Sequence, residues 1–189
     1  MMNRRNLPAL IAAVALVLRV GLVDRNAQAA DQAAHVHGQA SLQLAAEGMA
    51  LELYFESPAV NIVGFEHAPQ GDAQKQRVAQ AEARFRKQPL VRLLKADGCA
   101  VTSASVTSGL LQADHSEDGP GSHGHHDHGH SSFEVTQRLE CKGGSLSGPA
   151  HARVMEAFQG IEQLEVEWLG DGGQGAATLT RDQMQFSID

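Results

Sequence analysis

The segment 114–130 constrains the fold most, because it holds six of the chain's ten histidines among glycines, aspartates and serines. A stretch this polar and rich in glycine cannot pack into a core. The segments on either side of it, 99–111 and 132–141, are strand candidates, and the second carries apolar residues at period two. We therefore expect a disordered insert at the tip of a hairpin, with the core built from the rest of the chain.

The first 29 residues are typical of an export signal. A cationic stretch at 3–6 precedes the apolar run 7–18, and Ala27-Gln28-Ala29 supplies the small residues of a cleavage site. A membrane anchor is the alternative, but a span needs about 20 apolar residues. Arg19, Asp24 and Arg25 interrupt this one. We expect cleavage after Ala29, export to the periplasm, and one domain over 30–189.

The charge balance narrows the class of partner. The whole chain carries a formal charge of −7, from 15 basic and 22 acidic residues. Four of the arginines and one aspartate lie in the signal, so the exported part has 11 basic and 21 acidic residues, a net charge of −10. Such a chain attracts metal cations and repels phosphates, which argues against nucleic acid and anionic lipid as main partners.

Cys99 and Cys141 are the chain's two cysteines. In an oxidising compartment they would form a disulfide, closing a loop of about 43 residues at a gain of about 4 kcal/mol in the chain-entropy model. Two free buried thiols are the alternative. Ligation of zinc by these cysteines is a weaker alternative, because the chain has no CxxC pair.

The pattern of elements predicts an α+β domain of order β-β-α-β-β-α-β-β, with a mostly antiparallel sheet and helices packed on one face. Helical spacing of apolar residues indicates an amphipathic helix over 72–86 and a short helical stripe after Pro89. A last helix is expected from Gly148-Pro149 to a stop at Gly160, with His151 as a surface residue of its first turn. The remaining strands are predicted at 164–169, 176–180 and 184–188.

Two alternating segments around Glu47-Gly48 predict the first hairpin. Pairing Leu44 with Met49 and Leu42 with Leu51 places both apolar stripes on one face, and it sets His37 opposite Glu56 on the other. His35 and His37 would then project together from one strand. With His67, which follows Gly64-Phe65-Glu66, they would offer three imidazoles and one carboxylate for a four-coordinate metal site.

The histidine-rich insert is the strongest chemical signal. Neutral imidazole suits Zn²⁺, Cu²⁺, Ni²⁺ and Co²⁺, and His-X-His spacing lets two rings reach one ion. A merely hydrophilic linker is the alternative, and an insert that must become ordered should bind less tightly than a preformed site. His130 lies next to a strand and is best placed to complete a site, and the other candidate ligands are His123, His125, His126 and His128.

The motifs of common hydrolases and nucleotidases are absent: the sequence has no GxSxG, P-loop or HExxH. Nothing singles out a general base. We therefore expect a protein that is not an enzyme. The hypothesis of an envelope metal-dependent hydrolase stays open, with Glu56 or Glu66 as its base. A third hypothesis is an adaptor or buffer protein for a metal transporter, in which zinc is incidental.

Two segments give the chain a family resemblance. His35-Val36-His37-Gly38, and the segment 57–67 with its PxxNxxGFEH pattern, resemble the ZrgA-type zinc-regulated proteins of Gram-negative bacteria, and the similarity extends to Gly173-Gln174 and Leu179-Thr180. The resemblance implies a periplasmic zinc-binding protein that assists zinc acquisition alongside an inner-membrane transport system. It also implies ligands at His35, His37, His67 and the histidines of the insert.

Overall fold

The structure is a computed structural model that describes residues 36–112 and 131–188. The predicted export signal, His35 and the histidine-rich insert, with His123, His125, His126, His128 and His130, lie outside the described residues. The described residues belong to one unit. None of their helices is both long enough and apolar enough to span a membrane.

A six-stranded sheet forms the centre of the domain. The bounds of its strands are β1 Gln39–Glu47, β2 Ala50–Pro58, β5 Ala100–Ser108, β6 Ser132–Glu140, β9 Gln163–Gly170 and β10 Gly173–Thr180. They lie in the order β10-β9-β1-β2-β6-β5. Neighbours pair antiparallel except β1 and β9, which are parallel.

Smaller elements surround this sheet. A three-stranded sheet has the order β11-β8-β3, and β4 pairs with β7. Their bounds are β3 Arg92–Leu93, β4 Ala96–Asp97, β7 Gly143–Gly144, β8 Gly148–His151 and β11 Gln185–Ile188. The helices are α1 Ala59–Val63, α2 Gly71–Lys87, α3 Gly109–Gln112 and α4 Arg153–Ala157. The α+β prediction is confirmed, with a mixed and mostly antiparallel sheet.

The core lies on one face of the large sheet, because apolar residues alternate with polar ones along its strands. Helix α2 covers that face with Val78, Ala81 and Phe85, the three residues that its sequence pattern predicts. The Phe85 ring lies 5.7 Å from that of Phe133 on β6 and 4.7 Å from that of Phe158 after α4. The aromatic contacts therefore join both helices to the sheet.

The first hairpin has a different register from the predicted one. Strands β1 and β2 pair Leu44 with Leu53 and Leu42 with Phe55, and the turn consists of Gly48 and Met49 alone. Gly48 has φ +58°, which a two-residue hairpin turn favours. The predicted pairing of His37 with Glu56 is therefore wrong, because Glu56 lies opposite Ser41.

Two helical predictions are also wrong. The stripe after Pro89 is an extended segment that contains β3, and Gly148-Pro149 begins strand β8 rather than a helix. The last helix, α4, starts only at Arg153. Strand β8 pairs with β3 on one side and β11 on the other, so tertiary pairing overrides the local helix signals.

The disulfide prediction is confirmed. Strands β5 and β6 pair antiparallel along their length, and Cys99 before β5 is bonded to Cys141 after β6. The bridge closes the end of this strand pair that is opposite the insert. It therefore fixes the two strands from which the histidine-rich segment departs.

Candidate metal centre

His37 lies in a turn just before β1 and not on a strand. The turn is closed by a hydrogen bond of 3.1 Å from the Gln39 N–H to the Val36 carbonyl oxygen. Gly38 follows with φ +84°, a conformation that a residue with a Cβ rarely adopts. The space is also limited, because a Cβ here would lie 3.2 Å from Oε2 of Glu162. The backbone conformation therefore favours glycine after His37, and a larger residue would also have to displace the end of the Glu162 side chain.

Asn61 holds this turn against helix α1. Its Oδ1 accepts a hydrogen bond of 2.8 Å from the Gly38 N–H, and its Nδ2 donates to the Gln39 carbonyl oxygen at 2.8 Å. Nδ2 also donates to Oγ of Ser57 at 3.1 Å. The Asn61 side chain is buried, so these bonds are shielded from water. The two segments behind the family resemblance are therefore joined directly.

Helix α1 ends at a glycine that redirects the chain toward His37. Gly64 adopts φ +88°, and its N–H donates to the Val60 carbonyl oxygen at 3.0 Å. A left-handed C-cap of this kind reverses the chain after a short helix. The next residues are Phe65, which is buried, then Glu66 and His67. The PxxNxxGFEH pattern thus encodes a helix, its terminus and the side chains that follow.

Glu66 is the carboxylate that the structure brings to His37. Its Oε1 lies 3.7 Å from Nε2 of His37. The Glu66 side chain is 13% exposed and that of His37 is 65% exposed. An accessible imidazole beside a shielded carboxylate can bind a cation jointly, or the carboxylate can orient the ring. The sequence prediction assigned this place to Glu56, although Glu66 stands inside the segment that it singled out.

His67 is oriented by its neighbours. Its ring stacks on that of Phe65 at a centroid distance of 5.2 Å, and its Nδ1 lies 2.9 Å from the Ala68 carbonyl oxygen. A carbonyl oxygen can only accept, so the proton of a neutral ring is on Nδ1 when this bond forms. Nε2 then has a free lone pair for a metal. The Arg77 guanidinium lies 5.7 Å from the Phe65 ring centroid, which places a positive charge nearby.

Glu56 belongs to another surface. It lies on the outward face of β2, between Ser41 of β1 and Glu134 of β6. Tyr54 has a raised pKa, first because of burial and then because of the charges of Glu56 and Glu134. The register therefore separates Glu56 from the turn that carries His37.

His151 is not the surface residue that the sequence suggested. It lies in β8, its side chain is 11% exposed, and its Nε2 is 2.9 Å from Oε1 of Glu156 on α4. The correction follows from the mistaken helix boundary, because a strand at this position turns the His151 side chain toward α4 instead of solvent.

Within residues 36–112 and 131–188, no three side chains of histidine, cysteine, aspartate or glutamate converge closely enough to hold a metal. His37 and Glu66 form a two-donor arrangement within the two segments that the sequence singles out. Two further predicted donors to this region, His35 and His130, lie outside the described residues.

One known family model covers all of the described residues. No curated protein sequence matches the chain. The model of the ZrgA family of zinc uptake proteins matches residues 34–188, which include the His37 turn, helix α1, the disulfide and the C-terminal strands. The chain therefore belongs to the ZrgA family of zinc uptake proteins.

Proposed function

We propose that this zinc uptake protein works in the periplasm by binding Zn²⁺ itself, without catalysis, and by passing the ion to a transport system of the inner membrane. The observation that carries the proposal is the approach of Glu66 to His37 at 3.7 Å, in a turn that Asn61 fixes. Zinc prefers nitrogen and carboxylate oxygen donors of this kind.

The structured site that we propose contains His35, His37, His67 and Glu66, of which His37 and Glu66 already lie together and His67 would join them when the ion binds. His35 precedes His37 by two residues, and His67 directly follows Glu66. Four donors of this composition satisfy the tetrahedral preference of zinc. Support comes from the hydrogen bond at Nδ1 of His67, which directs the lone pair of a neutral ring to Nε2.

The insert would act as a second, weaker site that collects ions. Its histidines at 123, 125, 126, 128 and 130 offer several pairs of donors. Ordering such a segment around an ion costs conformational entropy, so each of its sites should bind more weakly than the structured one. Copper, nickel and cobalt suit the same imidazoles, and the Irving–Williams order favours copper over zinc.

One observation supports the compartment. The Cys99–Cys141 disulfide is typical of oxidising compartments.

Calorimetric titration of residues 30–189 with Zn²⁺ tests the structured site. We expect one tight site plus weaker binding, and we expect deletion of 114–130 to remove only the weaker part. His37→Ala or Glu66→Gln should weaken the tight site by about tenfold or more, since each removes one donor or its orienting partner.

Glu56→Gln is the matched control for Glu66→Gln, because it neutralises a carboxylate that lies on β2, away from the His37 turn. Its tight-site affinity should equal that of the parent protein. If Glu56→Gln weakens the site and Glu66→Gln does not, the assignment of the carboxylate is wrong. Turnover of ester, peptide or phosphate substrates by the zinc-loaded protein would contradict the proposal of a non-catalytic role.

A further inference from the structure

The outward face of the large sheet is a second surface with a distinct chemistry. Helix α2 packs against the opposite face, where the buried residues of the strands lie. The outward residues of β1, β2, β6 and β9 are exposed or half-buried, apart from Pro58 at the end of β2. Among the described residues, no helix covers this face, so the sheet presents it to other molecules.

This face is strongly acidic. Its outward positions include one cation, Arg138, which forms ion pairs with Glu52 and Glu140. Seven glutamates oppose that single arginine, which gives the outward positions of these strands a net charge of −6. They are Glu47, Glu52, Glu56, Glu134, Glu140, Glu165 and Glu167.

The register concentrates the charge instead of separating it. Glu56 and Glu134 are direct partners on β2 and β6, and Ser41 alone stands between Glu56 and Glu165. Like charges on directly opposed residues destabilise a sheet. The pKa of Tyr54 is raised first by burial and then by the charges of Glu56 and Glu134, and this second cause reflects the same negative potential. A cationic partner would relieve this repulsion.

Two depressions give the face a shape. One, of about 610 Å³, has Leu169 and Ala176 among its lining residues, and the other, of about 240 Å³, has Ala45 and Tyr54. Gln43 lines both. Leu169 is 58% exposed and Tyr54 is 37% exposed, so apolar surface lies among the carboxylates. Long lysine and arginine side chains fit such a surface, because their stems are apolar and their ends are charged.

The size of the face is that of one side of a stable protein interface. Six strands spaced by about 4.8 Å and about 28 Å long cover about 800 Å². A standard protein interface buries about 800 Å² on each partner. The face is therefore larger than a site for a single ion or small molecule requires.

We propose that the outward face of the large sheet is a docking surface for a polypeptide partner rich in lysine and arginine. A second copy of the chain is disfavoured because it would bring the same negative charge. Anionic lipids and nucleic acids are repelled for that reason. Individual zinc ions are disfavoured because no three carboxylates converge among the described residues.

Fluorescence anisotropy with a labelled peptide of alternating lysine and alanine, about nine residues long to match a strand, tests the proposal on the exported chain. We expect saturable binding that weakens steeply between about 50 mM and about 500 mM salt. The triple variant Glu56→Gln, Glu134→Gln, Glu167→Gln should bind about tenfold or more weakly.

The matched control removes three carboxylates from exposed positions outside this face, with Asp72→Asn, Asp97→Asn and Asp182→Asn. It should retain binding within about twofold, because interaction with a defined face depends on where the charges lie. Ala45→Leu narrows one depression without changing charge and should also weaken binding.

Equal losses of peptide affinity in the two triple variants would overturn the proposal, because binding would then depend on net charge and not on the position of the carboxylates. An unaffected Ala45→Leu variant would also overturn it, as would self-association of the parent that the face variant abolishes. Zinc titration of the face variant separates this surface from the metal centre. Unchanged tight binding of zinc supports two surfaces, whereas its loss would identify the face as a cation site.

Discussion

Asn61→Ala should detach the turn that carries His37, and the structure gives the magnitude. The substitution removes three hydrogen bonds and leaves the Gly38 N–H and the Gln39 carbonyl oxygen without their side-chain partner. An unsatisfied backbone group at a shielded site costs about 1–3 kcal/mol. We therefore expect the free energy of unfolding to fall by about 3 kcal/mol.

Thermal unfolding, followed by circular dichroism, measures this loss. For a domain of this size, about 3 kcal/mol corresponds to a Tm lower by about 6–12 °C. Gln76→Ala is the control, because it removes an exposed amide from the helix that follows, and it should change Tm by no more than about 2 °C. The same two variants should differ in zinc affinity, since Asn61→Ala releases His37 from its place beside Glu66.

The reasoning would be refuted if Asn61→Ala unfolded at the same temperature as Gln76→Ala. Water would then replace the amide at no cost, and the three hydrogen bonds of Asn61 would not contribute to stability. If Asn61→Ala lowers Tm as expected but leaves the affinity of the tight zinc site unchanged, only the prediction about zinc affinity is refuted. The turn would then be a structural feature that metal binding does not use.

Three further predictions concern the rest of the fold. Gln137→Leu should lower the free energy of unfolding by about 3 kcal/mol or more in chemical denaturation, because this fully buried amide bonds three backbone groups at the end of α2. Replacing Cys99 and Cys141 with serine should cost about 4 kcal/mol in the same assay, and a loss below about 1 kcal/mol would mean that the unfolded chain keeps the strands together. Tyr54 is the chain's one tyrosine, so alkaline absorbance titration should give a phenol pKa above 10.0, and Glu56→Gln should lower it. Because folding raises this pKa, the unfolded state loses its proton first, and stability should decrease as pH rises from about 10 through the folded value; rising stability in that range would contradict the direction of the shift.

Strong periodic patterns allowed prediction of the main elements. The inward residues of α2, the β5–β6 hairpin and the disulfide all follow from apolar spacing and from a cysteine pair in a chain predicted to be exported. The helix and strand patterns are reliable because each involves many residues. The disulfide is reliable because two cysteines can form only one intramolecular pair. The parallel pairing of β1 with β9 is different, since it joins segments more than a hundred residues apart that no local pattern connects.

The hairpin error has a specific cause. The predicted and observed registers both put Leu42 and Leu44 on the buried face, since they differ by an even number of residues. The hydrophobic pattern is therefore compatible with both registers. The turn distinguishes them, because Gly48 with φ +58° favours the shorter loop, which belongs to the observed register. That choice moves Glu56 away from His37, so one turn changed the expected ligand set.

Buried polar side chains were the other feature beyond sequence prediction. Gln137 occupies a position in the apolar stripe of β6, and its three partners lie at the end of α2 and just beyond it. Asn61 likewise bonds to a turn more than twenty residues earlier. A polar residue among apolar ones looks like a broken pattern until the backbone groups that it satisfies are known.

The two segments that link this chain to its family combine scaffold residues with donors. Gly38, Asn61 and Gly64 have conformational or hydrogen-bonding roles that would be needed whether or not a metal binds. His37 and Glu66 meet only because those residues fix the turn and the end of α1. It follows that Gly64→Ala, which changes no donor, should weaken the structured zinc site by displacing Glu66, since alanine rarely adopts φ +88°. Calorimetry on a Gly64→Asn variant provides the comparison, because asparagine tolerates the left-handed region and should restore most of the affinity. Equal affinity in the alanine variant and the parent would mean that the position of Glu66 does not matter to the ion.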